Sequence, residues 1–399
     1  MSQSLLNGSR RPRPLAIFQA FHHKRMRVWA AASVLLLLLA GCATTRVAEK
    51  EEEFIWPLPP ETPRIKYVRS IHSEMDVGKQ KGFSEGISEA LFGRSRMLAL
   101  RKPGTVYTDR AGKVYVTDSM WRGIAVFDFP GRRLFAFRGS GKGVLTRPAA
   151  VATDGAGRMY VADRADKRVV VFDPAGRFVT AFGGKDLLVR PTGIAINEML
   201  GRVYVVDAWA HQVKVFSLDG MYLFSIGKQG KKEEARDIGS HDQVWNRGRG
   251  DGEFRYPLQI AIGPEGRLYV ADTMNFRIQI FDPDGRFLST FGRLGDNPGE
   301  FARPKGIAVD SEGHIYVSDA AFNNVQIFDE KGRLLLSFGG IGFGKASFWL
   351  PAGLYIDHQD RIYVVDQYNH RVQVYQYLSQ KVGNRGKPAP QNRAEKTSR

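Results

Sequence analysis

Val114-Tyr115-Val116-Thr117-Asp118 is written five more times, at Met159–Asp163, Val203–Asp207, Leu268–Asp272, Ile315–Asp319 and Ile362–Asp366. Each copy has Tyr-Val in its second and third places and Asp in its fifth. Aromatic and β-branched residues in so short a run predict a strand. The Asp-to-Asp steps are 45, 44, 65, 47 and 47 residues. A period of this size is the signature of a repeat architecture, and it sets the frame for everything else.

Outward from this stretch, each unit holds four strand candidates. Strand a follows a proline: Pro148–Asp154, Pro191–Ile196, Pro304–Asp310. Strand b is the Tyr-Val stretch. Strand c is Val169–Phe172, Val213–Phe216, Ile278–Phe281, Val325–Phe328 and Val372–Tyr375. Turns such as Asp173-Pro-Ala-Gly176 and Asp282-Pro-Asp-Gly285 lead into strand d, at Phe178–Phe182, Phe287–Phe291 and Leu334–Phe338. A turn ending in a glycine that tolerates positive φ is hairpin chemistry. Four strands per period predict an all-β, six-bladed β-propeller rather than a sandwich. Strands a, b and c each occur six times, but d only five. The strand-like run at residues 64–71 is therefore expected to pair with residues 372–378. That pairing closes the last blade with N-terminal chain and removes two sheet edges.

The pattern Arg/Lys-Pro-x-Gly-Ile-Ala-Val-Asp, Gly-x-Ile-Tyr-Val-x-Asp, Asn-x-Arg-Ile-Gln-Ile-Phe resembles NHL repeats. Arg303–Phe328 and Arg255–Phe281 match it best, and the resemblance covers about 280 residues. It implies the propeller fold and leaves the chemistry open, because fold does not carry function.

Strand direction assigns the loops. The d–a and b–c loops share one face, and the a–b and c–d hairpins share the opposite one. Asp118, Asp163, Asp207, Asp272, Asp319 and Asp366 end strand b and belong to the first face. Their six-fold recurrence favours a structural role, each carboxylate holding a turn by accepting backbone N–H groups. The same loops carry Arg147, Arg168, Arg190, Arg277, Arg303 and Arg371, with Trp121, Trp209, Phe276, Phe322 and Tyr368. Arginines and aromatics together make this the candidate binding face. The bland alternative is that each Arg is paired locally and each ring packs on its own blade.

One step is long. Gly227 to Pro257 spans 30 residues where the other blades use 8–12. The insert 228–251 is charged, holds Val244-Trp245, and lands on the same face. A long loop on a rigid scaffold points to function, here contact with a partner or a lid over the channel mouth. His211 and His370 occupy matched positions, but in blades three and six. A three-histidine metal site needs convergent ligands, so they are weak metal candidates. No cofactor is expected. A metal ion in the central channel belongs to the alternative reading, drawn from the likeness to metal-dependent propeller lyases and lactonases.

The formal charge is +17. Residues 1–41 hold six Lys/Arg and no acid, and residues 379–399 hold six against one acid, so the span between carries +6 (17 − 6 − 5). Termini thus account for most of a basic balance that would otherwise suggest nucleic acid. Lys24, Arg25 and Arg27 precede the apolar run 28–40, which is short for a span and fits a signal segment. Leu39-Ala40-Gly41-Cys42 resembles a bacterial lipobox, and Cys42 is the sole cysteine. The resemblance implies cleavage before Cys42, lipidation of its thiol and, with Ala43 next, an outer-membrane address. The expected organisation is a signal peptide over 1–41, with translation starting at Met26, then a lipidated Pro/Glu-rich tether over 42–62. The propeller follows over 63–378 and a basic disordered tail over 379–399. A short amphipathic helix is expected within 82–93.

Together these readings predict a lipid-anchored envelope propeller serving as a non-catalytic scaffold for an envelope protein or an anionic polymer. The signal segment argues against nucleic acid as partner. The alternative is a metal-dependent lyase or lactonase-like hydrolase.

Overall fold

Each Tyr-Val-x-Asp stretch forms the second strand of an antiparallel sheet in the computed structural model, which describes residues 53–78, 97–227 and 248–379. All of them lie within one unit, 53–399. Two N-terminal strands come first, β1 (Ile55–Trp56) and β2 (Ile65–Ile71). Blade one is β3 (Pro103–Thr108), β4 (Lys113–Asp118), β5 (Gly123–Asp128) and β6 (Arg133–Phe137). Blade two is β7 (Pro148–Thr153), β8 (Met159–Asp163), β9 (Arg168–Phe172) and β10 (Phe178–Gly183). Blade three is β11 (Pro191–Asn197), β12 (Arg202–Asp207), β13 (Gln212–Ser217) and β14 (Tyr222–Ile226). Blade four is β15 (Pro257–Ile262), β16 (Leu268–Asp272), β17 (Arg277–Phe281) and β18 (Phe287–Phe291). Blade five is β19 (Pro304–Val309), β20 (Ile315–Asp319), β21 (Asn324–Phe328) and β22 (Leu334–Gly339). Blade six holds β23 (Pro351–Ile356), β24 (Arg361–Asp366) and β25 (Arg371–Tyr377), in the order β1-β2-β25-β24-β23. The molecule is a six-bladed β-propeller.

The closure expected from strand counting is present. β2 pairs antiparallel with β25, from Ile65 opposite Tyr377 to Ile71 opposite Val372. The expected tether, however, does not run unstructured to residue 62. β1 adds a further strand to β2, Ile55 opposite Lys66 and Trp56 opposite Ile65. The Trp56 ring lies 5.6 Å from that of Phe338 and 6.0 Å from that of Tyr375. Aromatic burial overrides the proline-rich composition that reads as linker. Residues 1–41, the expected helix within 82–93 and the tail beyond 379 lie outside the described residues.

Blades stack face to face, so strands b and c are buried on both sides. One apolar cluster joins Tyr204, Val213 and Ile226 of blade three to Ile260, Leu268 and Phe281 of blade four, and the other seams repeat this arrangement. The first strand of each blade begins at its proline and forms an edge of its sheet, where a missing N–H is tolerated. These six strands pack on one another around the central axis.

The motif tyrosine has a task beyond packing. Tyr115, Tyr160, Tyr316 and Tyr363 donate their hydroxyls to Asp109, Asp154, Asp310 and Asp357, six residues earlier in the a–b turn. The same aspartates accept the backbone N–H groups that shape the turn, as Asp310 does from Glu312 and His314. A buried hydroxyl is thereby satisfied while it fixes the hairpin.

Candidate binding face

The six motif aspartates are fully buried. Asp118 accepts the N–H groups of Arg101 and Lys102 from the d–a loop, and those of Met120 and Trp121 from the b–c loop, at 2.7–3.2 Å. Asp163, Asp207 and Asp319 repeat this clasp. Asp272 and Asp366 use side chains for the second half. Asp366 accepts Trp349 N–H at 2.7 Å, Asn369 Nδ2 at 2.8 Å, Arg371 Nε at 2.8 Å and Gln373 Nε2 at 3.1 Å. Burial pushes the Asp272 carboxyl above the usual carboxylate range, against the pull of the Arg255 N–H and of Asn275 and Arg277. Every aspartate therefore ties two loops of its face to one strand end.

The arginines divide into two groups. Arg277 is spent on Asp272 and on the carbonyls of Arg249, Gly250 and Glu253. Arg371 is spent in the same way on Asp366, Gly344 and Ser347, and Arg168 on Asp166 and two carbonyls. By contrast Arg147, Arg190 and Arg303, each directly before a strand-a proline, enter no ion pair among the described residues. Nor do Lys102, Arg164 and Lys305 beside them. Burial, then the charges of Arg190 and Arg147, hold Arg164 below the usual guanidinium range. Burial, then Arg303, depresses Lys305. Beside the strand-a prolines, positive charge thus gathers on this face without ion pairs among the described residues.

The rings divide too. Trp121 packs in the seam between blades six and one and is buried. Trp209 is 46% exposed under the Arg190 guanidinium, 4.7 Å from the ring centroid. Tyr368 is 53% exposed and stacks on Trp349, which in turn meets Phe343 edge-on. Phe276 and Phe322 lie in their b–c loops and are partly buried. Trp245 and residues 228–247 of the insert lie outside the described residues. The C-terminal flank of the insert is held to this face by Asn275, which donates to the Gly248 carbonyl, and by Arg277.

His211 is buried, and its Nδ1 accepts the Tyr256 N–H at 3.0 Å. His370 turns its loop with φ 55°, and its carbonyl accepts from His72 Nδ1. The two sit in separate blades. Among the described residues no three His, Cys, Asp or Glu side chains gather to hold a metal ion.

The central channel behaves differently from a straight pore. Near the aspartate face the Gln259 amide crosses from blade four to blade six, donating to the Leu354 carbonyl at 3.0 Å and accepting the Leu354 N–H at 3.4 Å. Beyond this plug lies a cavity of about 570 Å³ reaching the a–b hairpins, with Asp109, Arg110, Glu198 and His358 at its rim. The wide mouth therefore opens on the hairpin face. This places it opposite the insert's anchored flank, while the body of the insert, on which the expected lid or partner contact falls, lies outside the described residues.

Two family descriptions match the chain: a 6-bladed beta-propeller over residues 249–323, and the NHL repeat over 188–216 and 348–375. The NHL matches fall on blades three and six. Among curated proteins, the Drosophila melanogaster protein brain tumor is 47% identical over 45 residues, 11% of this chain and 4% of that protein. The human E3 ubiquitin-protein ligase NHLRC1 is 30% identical over 110 residues, 28% of this chain and 23% of the ligase. The chain spans less than a quarter of the length of either relative. Among solved structures, a gluconolactonase from Xanthomonas campestris superposes with a TM-score of 0.52 at 14% identity, covering 78% of this chain and 98% of that one. The propeller shares its fold with that enzyme, and at this identity the likeness extends to the fold alone.

Proposed function

We propose that this NHL propeller is a non-catalytic scaffold of a bacterial cell envelope, anchored by lipid on Cys42 in the outer membrane. It binds an acidic protein or another anionic polymer on the aspartate face. The observation that carries the reading is the group Arg147, Arg164 and Arg190, crowded together without an ion pair among the described residues and flanked by the exposed Trp209. Aromatic and arginine side chains on one rigid surface are the usual anchors of an interface. The six buried aspartates supply the rigidity, since each fixes the loops that present these groups. The metal-dependent lyase or lactonase alternative finds no ligand set among the described residues.

The binding test uses immobilised poly-glutamate and dextran sulfate. The wild-type protein should be retained and released by salt, as rim electrostatics demand. The triple variant Arg147→Glu/Arg190→Glu/Arg303→Glu, all on exposed or half-exposed side chains, should bind about tenfold more weakly, about 1.4 kcal/mol. Equal retention of both proteins overturns the reading. For the anchor, Cys42→Ser should move the protein from the membrane fraction to the soluble one, because a lipid chain contributes about 0.8 kcal/mol per buried CH₂. A variant that still sediments with membranes refutes it.

A further inference from the structure

We propose that the central channel is a blind pocket for a small, uncharged, ring-bearing compound that enters from the hairpin face. This goes beyond the scaffold reading and stands on the opposite face of the propeller.

The pocket is closed at one end by the fold itself. In β11, β19 and β23 the third residue of the strand, counting its proline as the first, is glycine: Gly193, Gly306 and Gly353. There the inner strands abut. A Cβ on Gly193 would sit 2.9 Å from the Leu258 carbonyl oxygen, and one on Gly353 would sit 2.6 Å from Thr105 Cα. Blade four carries Gln259 at the same register, and its amide completes the floor through both hydrogen bonds to Leu354. A side-chain amide that imitates a backbone pair across a ring leaves neither partner unsatisfied.

Two positions further along the inner strand, the walls become unequal. Four blades place alanine there: Ala152, Ala195, Ala261 and Ala308. Blades one and six place Tyr107 and Tyr355, whose ring centroids are 4.6 Å apart. The alanines leave space, while the paired tyrosines, their planes tilted by 49°, build an aromatic wall on one side. Tyr107 is fixed in direction, donating to the Thr153 carbonyl at 3.0 Å and accepting from Thr153 Oγ1. Burial, then Tyr107, keeps the Tyr355 phenol neutral well above the usual range.

Charge is confined to the rim. The carboxylates there are partly engaged by the motif tyrosines, as Asp109 is by Tyr115. Between rim and floor the lining is aliphatic and phenolic, with the uncharged hydroxyls of Thr105, Thr108 and Thr153. An ionic ligand would lose hydration there and find no counter-charge, which selects an uncharged one. A volume of about 570 Å³ lies within the range of pockets that enclose a small organic ligand. The phenols favour a ring that bears one hydroxyl or carbonyl group.

The test titrates the full-length propeller with 1-naphthol and with naphthalene, followed by calorimetry. Saturable, equimolar binding of 1-naphthol is expected. Ala195→Phe and Ala261→Phe fill the cavity and should weaken it at least tenfold, with thermal unfolding recorded to confirm folding. Tyr355→Phe preserves shape and should weaken 1-naphthol about threefold while leaving naphthalene unchanged, so the proposal remains testable if the filled variants misfold. The triple arginine variant should bind 1-naphthol normally, which separates this pocket from the scaffold face. Absence of saturable binding overturns the proposal. So does wild-type affinity in folded Ala195→Phe and Ala261→Phe, or equal loss of both ligands in Tyr355→Phe.

Discussion

Deleting residues 53–72 should leave a chain that no longer unfolds in one cooperative step. The segment brings β2 to the free edge of β25 and covers it along its whole length. Ile65 and Ile71 at its ends are fully buried, each worth about 1.5–3 kcal/mol on burial. The ladder adds backbone hydrogen bonds at about 0.5–1.5 kcal/mol each. Trp56, carried by β1, covers Phe338 and Tyr375. Together these terms match the whole stability of an ordinary domain, about 5–15 kcal/mol. The loss also differs in kind from an ordinary truncation. Without β2, blade six is reduced to three strands and β25 offers an open edge that templates aggregation. Urea unfolding followed by tryptophan fluorescence and circular dichroism checks this. A single coincident transition with the wild-type midpoint would show that the ring closes without its N-terminal strand.

The fold was legible because its period is carried by residues that cannot easily change type. Tyr-Val-x-Asp holds a buried tyrosine and a buried carboxylate, and counting strands around it places β2 from the sequence alone. What escaped was local and depended on partners far away in sequence. Trp56 sits among prolines and reads as linker, yet it packs, partly buried, against Phe338, nearly three hundred residues later. Trp121 reads as a surface ring like Trp209. It is buried because its blade adjoins the closing seam, where the cluster containing Ile71 and Val77 receives it. Arg277 and Arg371 follow their aspartates in sequence as Arg168 does, and the spacing does not tell which carbonyls they will reach. The tie between Asp109 and Tyr115, repeated at Asp154, Asp310 and Asp357, was available as a six-residue spacing and needed only the antiparallel turn between them. The Gln259 plug was not available. Its partner Leu354 lies two blades away, and an isolated glutamine in a strand carries no signal of direction.

Replacing Asp366 by alanine should cost about 3–5 kcal/mol, the cost of removing one partner from a buried, hydrogen-bonded charge pair. The carboxylate is fully buried and serves four donors at once: the Trp349 N–H, Asn369, Arg371 and Gln373. Its loss leaves the Arg371 Nε and the Gln373 amide facing a void, and an unpaired buried donor costs more than a hydrogen bond returns. Asparagine distinguishes acceptance from shape. Asp366→Asn keeps the volume but turns an NH₂ group toward donors that need an acceptor and removes the charge opposite Arg371. Its unfolding midpoint should therefore fall nearly as far as that of Asp366→Ala. Recovery to near the wild-type midpoint would instead mean that packing, rather than charge and acceptance, holds the loops. Asp173, in an exposed c–d turn, supplies the comparison. It also accepts two backbone N–H groups and pairs with Arg177, yet solvent can replace each of these partners. Asp173→Ala should shift the midpoint far less. The contrast isolates burial, since the two aspartates accept a similar number of hydrogen bonds.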